Sequence, residues 1–267
     1  MGRIPFDLPE HDAKPRARGL TNTLDSGLGL REIADTLDIS AAYTDVVKLG
    51  WGTAHLTPNL EEKLELYKSR DVLTSPGGLL FELSYWQDKL SDYEAFVRDV
   101  GFALVEVSNG SLPIPEAEKC KEVARLADAG FKVLSEVGSK DADFVMEPEA
   151  WVSAIKADLS AGAWKVIVEG RADASAGIYG KDGKVRDDAV DAILSSGIDP
   201  DQLIFEAPFK PQMIYFVKRL GPNVNVGNVP LTEVMNLETL RLGLRGHTVE
   251  HFHAPDHEGA REAGDED

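Results

Sequence analysis

Four apolar runs each carry a single glutamate: Val105-Glu106-Val107, Ser135-Glu136-Val137, Val168-Glu169-Gly170 and Phe205-Glu206-Ala207. Burying a carboxylate among such neighbours is costly unless a cation, a metal or strong donors compensate it. One such residue reads as a structural ion pair. Four in equivalent places read as a site, with acid–base work or a hard cation as its chemistry. Cations accompany the same runs: Lys48 inside Val47-Lys48-Leu49, Arg171 two residues after Glu169, Lys140 soon after Glu136 and Lys210 soon after Glu206. With no cysteine or histidine pair beside them, Glu106, Glu136, Glu169 and Glu206 suit Mg²⁺ before Zn²⁺. The lysines and Arg171 suit an anionic substrate, arginine favouring forked contacts to carboxylate or phosphate. The turns Pro76-Gly77-Gly78 and Asn225-Val226-Gly227-Asn228 would let backbone N–H groups approach an oxyanion closely. The competing account is a salt-bridged ring in which these cations only neutralise the glutamates. It covers some of the pairs but not their common position.

That position depends on strands, and the hydrophobic periodicity supplies them. Strands are expected at Leu20–Asp25, Asp45–Trp51, Val72–Gly77, Ala103–Ser108, Lys132–Val137, Trp164–Gly170, Gln202–Ala207 and Asn223–Val229. Between them lie helical segments such as Asn59–Arg70, Ser91–Val100, Pro115–Ala129, Glu147–Ala161, Asp187–Ser196, Pro211–Leu220 and Leu231–Leu244. Strands alternating with helices imply a parallel sheet with helical crossovers. An open doubly wound sheet would be expected to show Gly-x-Gly-x-x-Gly after its first strand, and Gly27 and Gly29 offer only a fragment of that. The even spacing and the length predict a closed (β/α)8 barrel, whose site lies where strands end. Each of the four glutamates falls there. Residues 19–253 form this catalytic domain, preceded by an arm over residues 1–18 and followed by an acidic tail over residues 254–267.

Composition narrows the function. The chain of 267 residues is 43% hydrophobic and carries 28 basic against 46 acidic side chains, a net charge of −18. That balance argues against nucleic acid as a partner, which calls for a basic face. No stretch approaches the ~20 apolar residues of a membrane span, and the polar start does not read as a signal peptide. A soluble, cytoplasmic protein is expected. Cys120 reads as a core residue, His251 and His253 as a chance cluster or an adventitious metal site beside the tail, and Trp51, Trp86, Trp151 and Trp164 as packing residues.

The wording of the chain adds a resemblance. Gly19-Leu20-Thr21, Asp25-x-Gly27-Leu28, Lys48-Leu49-Gly50-Trp51-Gly52-Thr53 and Pro76-Gly77-Gly78 with Phe81-Glu82 resemble the opening of phosphosulfolactate synthases. The likeness continues through Glu106-Val107-Ser108-Asn109-Gly110, Glu136-Val137-Gly138, Glu169-Gly170-Arg171, Phe205-Glu206-Ala207-Pro208, Asn225-Val226-Gly227-Asn228 and Leu240-Arg241-x-Gly243-Leu244-Arg245. It covers roughly residues 14–248. Departures from the family pattern fall at Leu79, Asn109, Ser139, Ala172, Met213 and His247.

The resemblance implies a (β/α)8 barrel, Mg²⁺ as cofactor and a homo-oligomer, a trimer. The implied reaction adds sulfite to phosphoenolpyruvate to give (2R)-3-sulfo-2-phospholactate, a step toward coenzyme M. Related proteins occur outside that pathway, including a plant branch linked to heat stress. On this reading Glu106, Glu136, Glu169 and Glu206 include the Mg²⁺ ligands. Lys48, Arg171 and Lys210 hold the anionic groups, and Lys140 donates the proton. Gly77, Gly78, Ser108, Asn225, Gly227 and Asn228 line the substrate. Two alternatives stand beside it: the same barrel with another nucleophile or phospho-enol substrate, and a non-catalytic stress-associated relative.

Overall fold

The computed structural model describes residues 5–139, 141, 143–170 and 176–254. Lys140 and Arg171, two of the expected catalytic cations, lie outside them, as does most of the expected tail. Eight parallel strands form one sheet: β1 Thr21–Asp25, β2 Val46–Leu49, β3 Leu73–Ser75, β4 Leu104–Val107, β5 Lys132–Val137, β6 Lys165–Val168, β7 Leu203–Glu206 and β8 Val226–Pro230. Their order is β3-β2-β1-β8-β7-β6-β5-β4, and β3 also lies against β4 without a ladder between them. The ring is thus a nearly closed (β/α)8 barrel, as the alternation of elements predicts.

The helices are α1 Leu30–Ser40, α2 Thr53–Leu56, α3 Leu60–Lys68, α4 Gly78–Trp86, α5 Leu90–Val100, α6 Glu116–Asp128, α7 Pro148–Ser160, α8 Asp187–Ser195, α9 Lys210–Leu220, α10 Val234–Arg241 and α11 Val249–His253. The seven expected segments are all present, the last as a 3₁₀ turn at Leu231–Glu233 leading into α10. Helices α1, α2, α4 and α11 add to them. The α4 sequence, Gly78-Leu79-Leu80-Phe81-Glu82-Leu83-Ser84-Tyr85-Trp86, is apolar almost all round and has no polar stripe to betray its period. Among the described residues no helix is long and apolar enough to cross a membrane.

The inside of the barrel is built in floors. Val46, Leu104, Leu134, Ile167 and Ile204 form a separate apolar cluster, each buried. Two residues further along the same strands come Lys48, Glu106, Glu136, Glu169 and Glu206. Residues i and i+2 share a strand face, so the apolar floor carries the charged floor directly above it. The intervening residues point outward into the main core. Val47, Val105, Val168 and Phe205 pack there with Ile33, Trp151, Ile155 and Phe216 from the helices.

The opposite mouth is closed. Arg16 forks onto Asp45 at 2.8–3.1 Å, and Lys14 Nζ donates to the Ala41 and Thr44 carbonyls. His11 lies 2.9 Å from Glu238, and the buried Arg241 donates to the Val224 and Pro222 carbonyls. Burial draws the Arg241 guanidinium down to about 10. Lys14 and Arg16 of the arm thus serve this closure, while Arg18 pairs at the surface with Asp12.

A buried ion pair braces β5 from behind. Lys119 of α6 and Asp158 of α7 meet at 2.9 Å with no side-chain exposure on either partner. Lys119 Nζ also donates to the Glu136 carbonyl, and Ser135 Oγ donates to Asp158. Removing one partner strands a buried charge. Lys119→Met should therefore lower unfolding stability by about 3–5 kcal/mol, read by urea denaturation, and pairing it with Asp158→Leu should recover most of the loss.

Candidate active site

The charged floor converges on one ammonium. Lys48 Nζ lies 2.9 Å from Glu206 Oε1, 3.6 Å from Glu106 Oε1 and 3.8 Å from Glu136 Oε2. The four glutamates are 1–2% exposed and Lys48 is 7% exposed. Burial alone would depress the Lys48 ammonium. The attraction of Glu106, Glu206, Glu136 and Glu169 outweighs it, and the group is held above the ordinary lysine range. Glu106 is pushed up to about 6, chiefly by burial, with Lys48 pulling the other way and its fellow carboxylates pushing with it. The strands set this geometry, because each glutamate sits at or just past the end of its strand and faces the axis.

The surrounding backbone is fixed by specific contacts. Gly78, the first residue of α4, donates its N–H to Glu106 Oε1 at 2.8 Å. A Cβ at Gly78 would stand 2.2 Å from Ser108 Oγ, so only glycine lets α4 start this close. Gly170 donates to Glu206 Oε2 at 3.0 Å, and Tyr179 Oη donates to the Glu206 carbonyl. Among the described residues, Glu106 Oε2 and Asn228 Oδ1 are buried without a hydrogen-bond partner. The cavity above them has a volume of about 240 Å³. That is smaller than pockets for drug-sized ligands and fits a compact metabolite.

The expected residues separate into groups. Lys48, Gly77, Gly78, Glu106, Glu136, Glu169, Glu206 and Asn228 all line the cavity. Glu136, Glu169 and Glu206 each offer an oxygen within 4.8 Å of the others, while Glu106 stands outside this trio. Asn225 is a correction. Its side chain accepts from Leu20 N–H and donates to the Asp201 and Leu203 carbonyls, at the starts of the strands and so at the closed mouth. Its place just before β8, rather than after it, is the physical reason. Ser108 is buried and donates to Glu82. Gly227 packs under Glu206, where a Cβ would meet Ile204 at 3.0 Å. Lys210 opens α9 beyond the cavity lining.

Two residues escape the sequence reasoning. Glu82, fully buried on α4, accepts from Ser108 Oγ at 2.5 Å and from the Ser111 and Leu112 N–H groups at 3.0 and 2.6 Å. It clamps the loop after β4, whose Ser111 reaches the cavity. A single glutamate in an apolar run, and its place in the Phe81-Glu82 string of the family resemblance, are its signals. Trp51, expected to pack, is instead 60% exposed and lines the cavity. Trp86 is likewise 58% exposed, whereas Trp151 is fully buried as expected. Cys120, expected in the core, is only partly buried, and burial and Asp158 push its thiol up to about 11.

A parallel barrel whose C-terminal mouth holds a buried crown of carboxylates around an ammonium defines a (β/α)8-barrel enzyme. Solved barrels of unlike sequence share the fold. Dihydrodipicolinate synthase from Agrobacterium tumefaciens str. C58 superposes with a TM-score of 0.53 at 11% identity, over 87% of this chain and 77% of that one. The family model for (2R)-phospho-3-sulfolactate synthase (ComA) matches residues 9–247. The phosphosulfolactate synthase of Methanothermobacter thermautotrophicus is 42% identical over 93% of this chain and 98% of its own. That of Bacillus subtilis (strain 168) is also 42% identical, over 93% and 99%. The chain belongs to the (2R)-phospho-3-sulfolactate synthase family of enzymes.

Glu82 offers a direct test of the loop clamp. Glu82→Ala leaves three donors without their acceptor and should cost on the order of 2 kcal/mol of stability. Denaturant unfolding reads the loss, and substrate KM should rise with it as Ser111 leaves its place.

Proposed function

We propose that this enzyme adds sulfite to phosphoenolpyruvate, giving (2R)-3-sulfo-2-phospholactate. The observation that carries the reading is the convergence of Lys48 with four buried glutamates on one small cavity, in a chain that belongs to this family. The sulfite sulfur forms a bond to the methylene carbon of phosphoenolpyruvate. The electron pair of the double bond moves onto the neighbouring carbon and into the carboxylate as an enolate-like dianion, and that carbon then takes up a proton.

Both reactants are anions, so the carboxylate crown needs positive charge around it. Lys48 stays protonated within the crown and supplies one fixed charge facing the cavity. The N-terminus of α4, at Gly78 and Leu79, brings the positive end of its backbone dipole to the same wall. The donor set suits Mg²⁺. Glu136, Glu169 and Glu206 each offer a carboxylate oxygen, the three within 4.8 Å of one another, the hard-donor set that Mg²⁺ prefers. When bound there, Mg²⁺ would act as a Lewis acid toward the substrate carboxylate as charge develops on it. Arg171 would hold phosphate or carboxylate, and Lys140 would deliver the proton to one face of the dianion.

The reaction is tested by mixing the purified protein with Mg²⁺, phosphoenolpyruvate and sulfite and following sulfophospholactate by mass spectrometry. Product should form with the wild type. Lys140→Ala should lower kcat by about 10²–10⁴-fold as a lost proton donor, and Glu136→Gln by about 10²–10³-fold as lost charge organisation. Chelation of Mg²⁺ should stop turnover. Consumption of phosphoenolpyruvate only with a different nucleophile, or none at all, sinks the proposal.

A further inference from the structure

Four non-glycine residues have left-handed backbone among the described residues: Trp51 at φ 53°, Asp71 at 55°, Asp88 at 56° and Asn228 at 54°. Asp and Asn enter that region readily because their short polar side chains bond locally. A bulky aromatic does not. The flanking glycines show why the chain turns here. A Cβ at Gly50 would stand 2.4 Å from Leu24 Cδ1, and Gly52 is itself left-handed at φ 71°. Glycine at position 51 would relieve the turn, yet a tryptophan occupies it. Packing does not account for the choice, since the side chain is 60% exposed. Trp51 does, however, line the cavity. With Leu24 and Leu79 it supplies the apolar part of a lining otherwise made largely of Lys48 and the glutamates.

We propose that Trp51 is a substrate-covering residue, whose indole lies over a small phosphorylated enol acid in the cavity and keeps water from the charges beneath. The inference rests on the reading of that cavity given under Proposed function. Excluding water strengthens every attraction between substrate and the charged floor, because screening falls with the local dielectric. The turn that carries the indole starts one residue after Lys48-Leu49, so the same strand delivers a cation to the floor and a cover to the mouth. Backbone strain at a cavity wall is the expected mark of a residue kept for its position.

Trp51→Gly separates this role from a structural one. Its melting temperature should stay level or rise, because the left-handed penalty disappears and little buried surface is lost. Its KM for phosphoenolpyruvate should rise tenfold or more, and Trp51→Phe should recover most of that. Phosphoenolpyruvate with Mg²⁺ should change tryptophan emission in the wild type and in Trp86→Phe, and not in Trp51→Phe. A fall in melting temperature with KM unchanged would make Trp51 a packing residue and overturn the proposal. An emission response that survives in Trp51→Phe, or that the wild type lacks, would also overturn it. If phosphoenolpyruvate changes Trp51 emission without being turned over with sulfite, the covering role stands and the proposed reaction falls. If sulfite is turned over and Trp51→Gly leaves KM unchanged, the reaction stands and the covering role falls.

Discussion

An ammonium held among buried carboxylates is the constraint around which this barrel is organised. Lys48 sits 2.9–3.8 Å from Glu206, Glu106 and Glu136, with Glu169 also within its field. Taking any of these groups out of water costs several kcal/mol, and the mutual attraction offsets that cost only if the geometry is held closely. The strands hold it. Each charge stands on a β-strand end, two residues above a buried Val, Leu or Ile. That apolar floor is fully buried, and at the far mouth Arg16 and His11 of the arm and Arg241 of α10 close the barrel.

The second feature is how much of the bracing lies outside the cavity. Lys119 and Asp158 grip the back of β5. Tyr179 bonds the Glu206 carbonyl, and Glu82 pins the loop after β4. At the end of β1, Asp25 takes Lys63 at 2.7 Å and Tyr67 at 2.8 Å while its other oxygen accepts from Gly27 and Leu28. These contacts do no chemistry. They fix the orientation of the strand ends that carry Lys48 and the four glutamates, as contacts behind a preorganised cavity do.

Such bracing is hard to see in a sequence. The inward glutamates are visible because a charge inside an apolar strand violates the local pattern. Glu82 violates a pattern too, but it lies on a helix without a polar stripe, where one acidic residue suggests only a solvent face. Asn225 resembles part of a phosphate-type turn, yet it precedes its strand. A shift of a few residues along β8 carries a side chain from one mouth of the barrel to the other. Trp51 reads as core because tryptophans generally are. Its exposure follows from a left-handed turn between two glycines, and backbone sign is not written in residue type.

Local pattern alone dictates the alternation of strand and helix, hence the parallel barrel, and the period-two placement of Lys48 and the four glutamates on one strand face. Hydrophobic period and the alternation of side chains along a strand are enough for both. Which carboxylates meet is settled by the folded ring. Glu136, Glu169 and Glu206 form a trio while Glu106 turns to the N-terminus of α4, because closure of the barrel and the close approach at Gly78 set those distances. Distances across a barrel depend on strands far apart in the chain, and no local pattern encodes them.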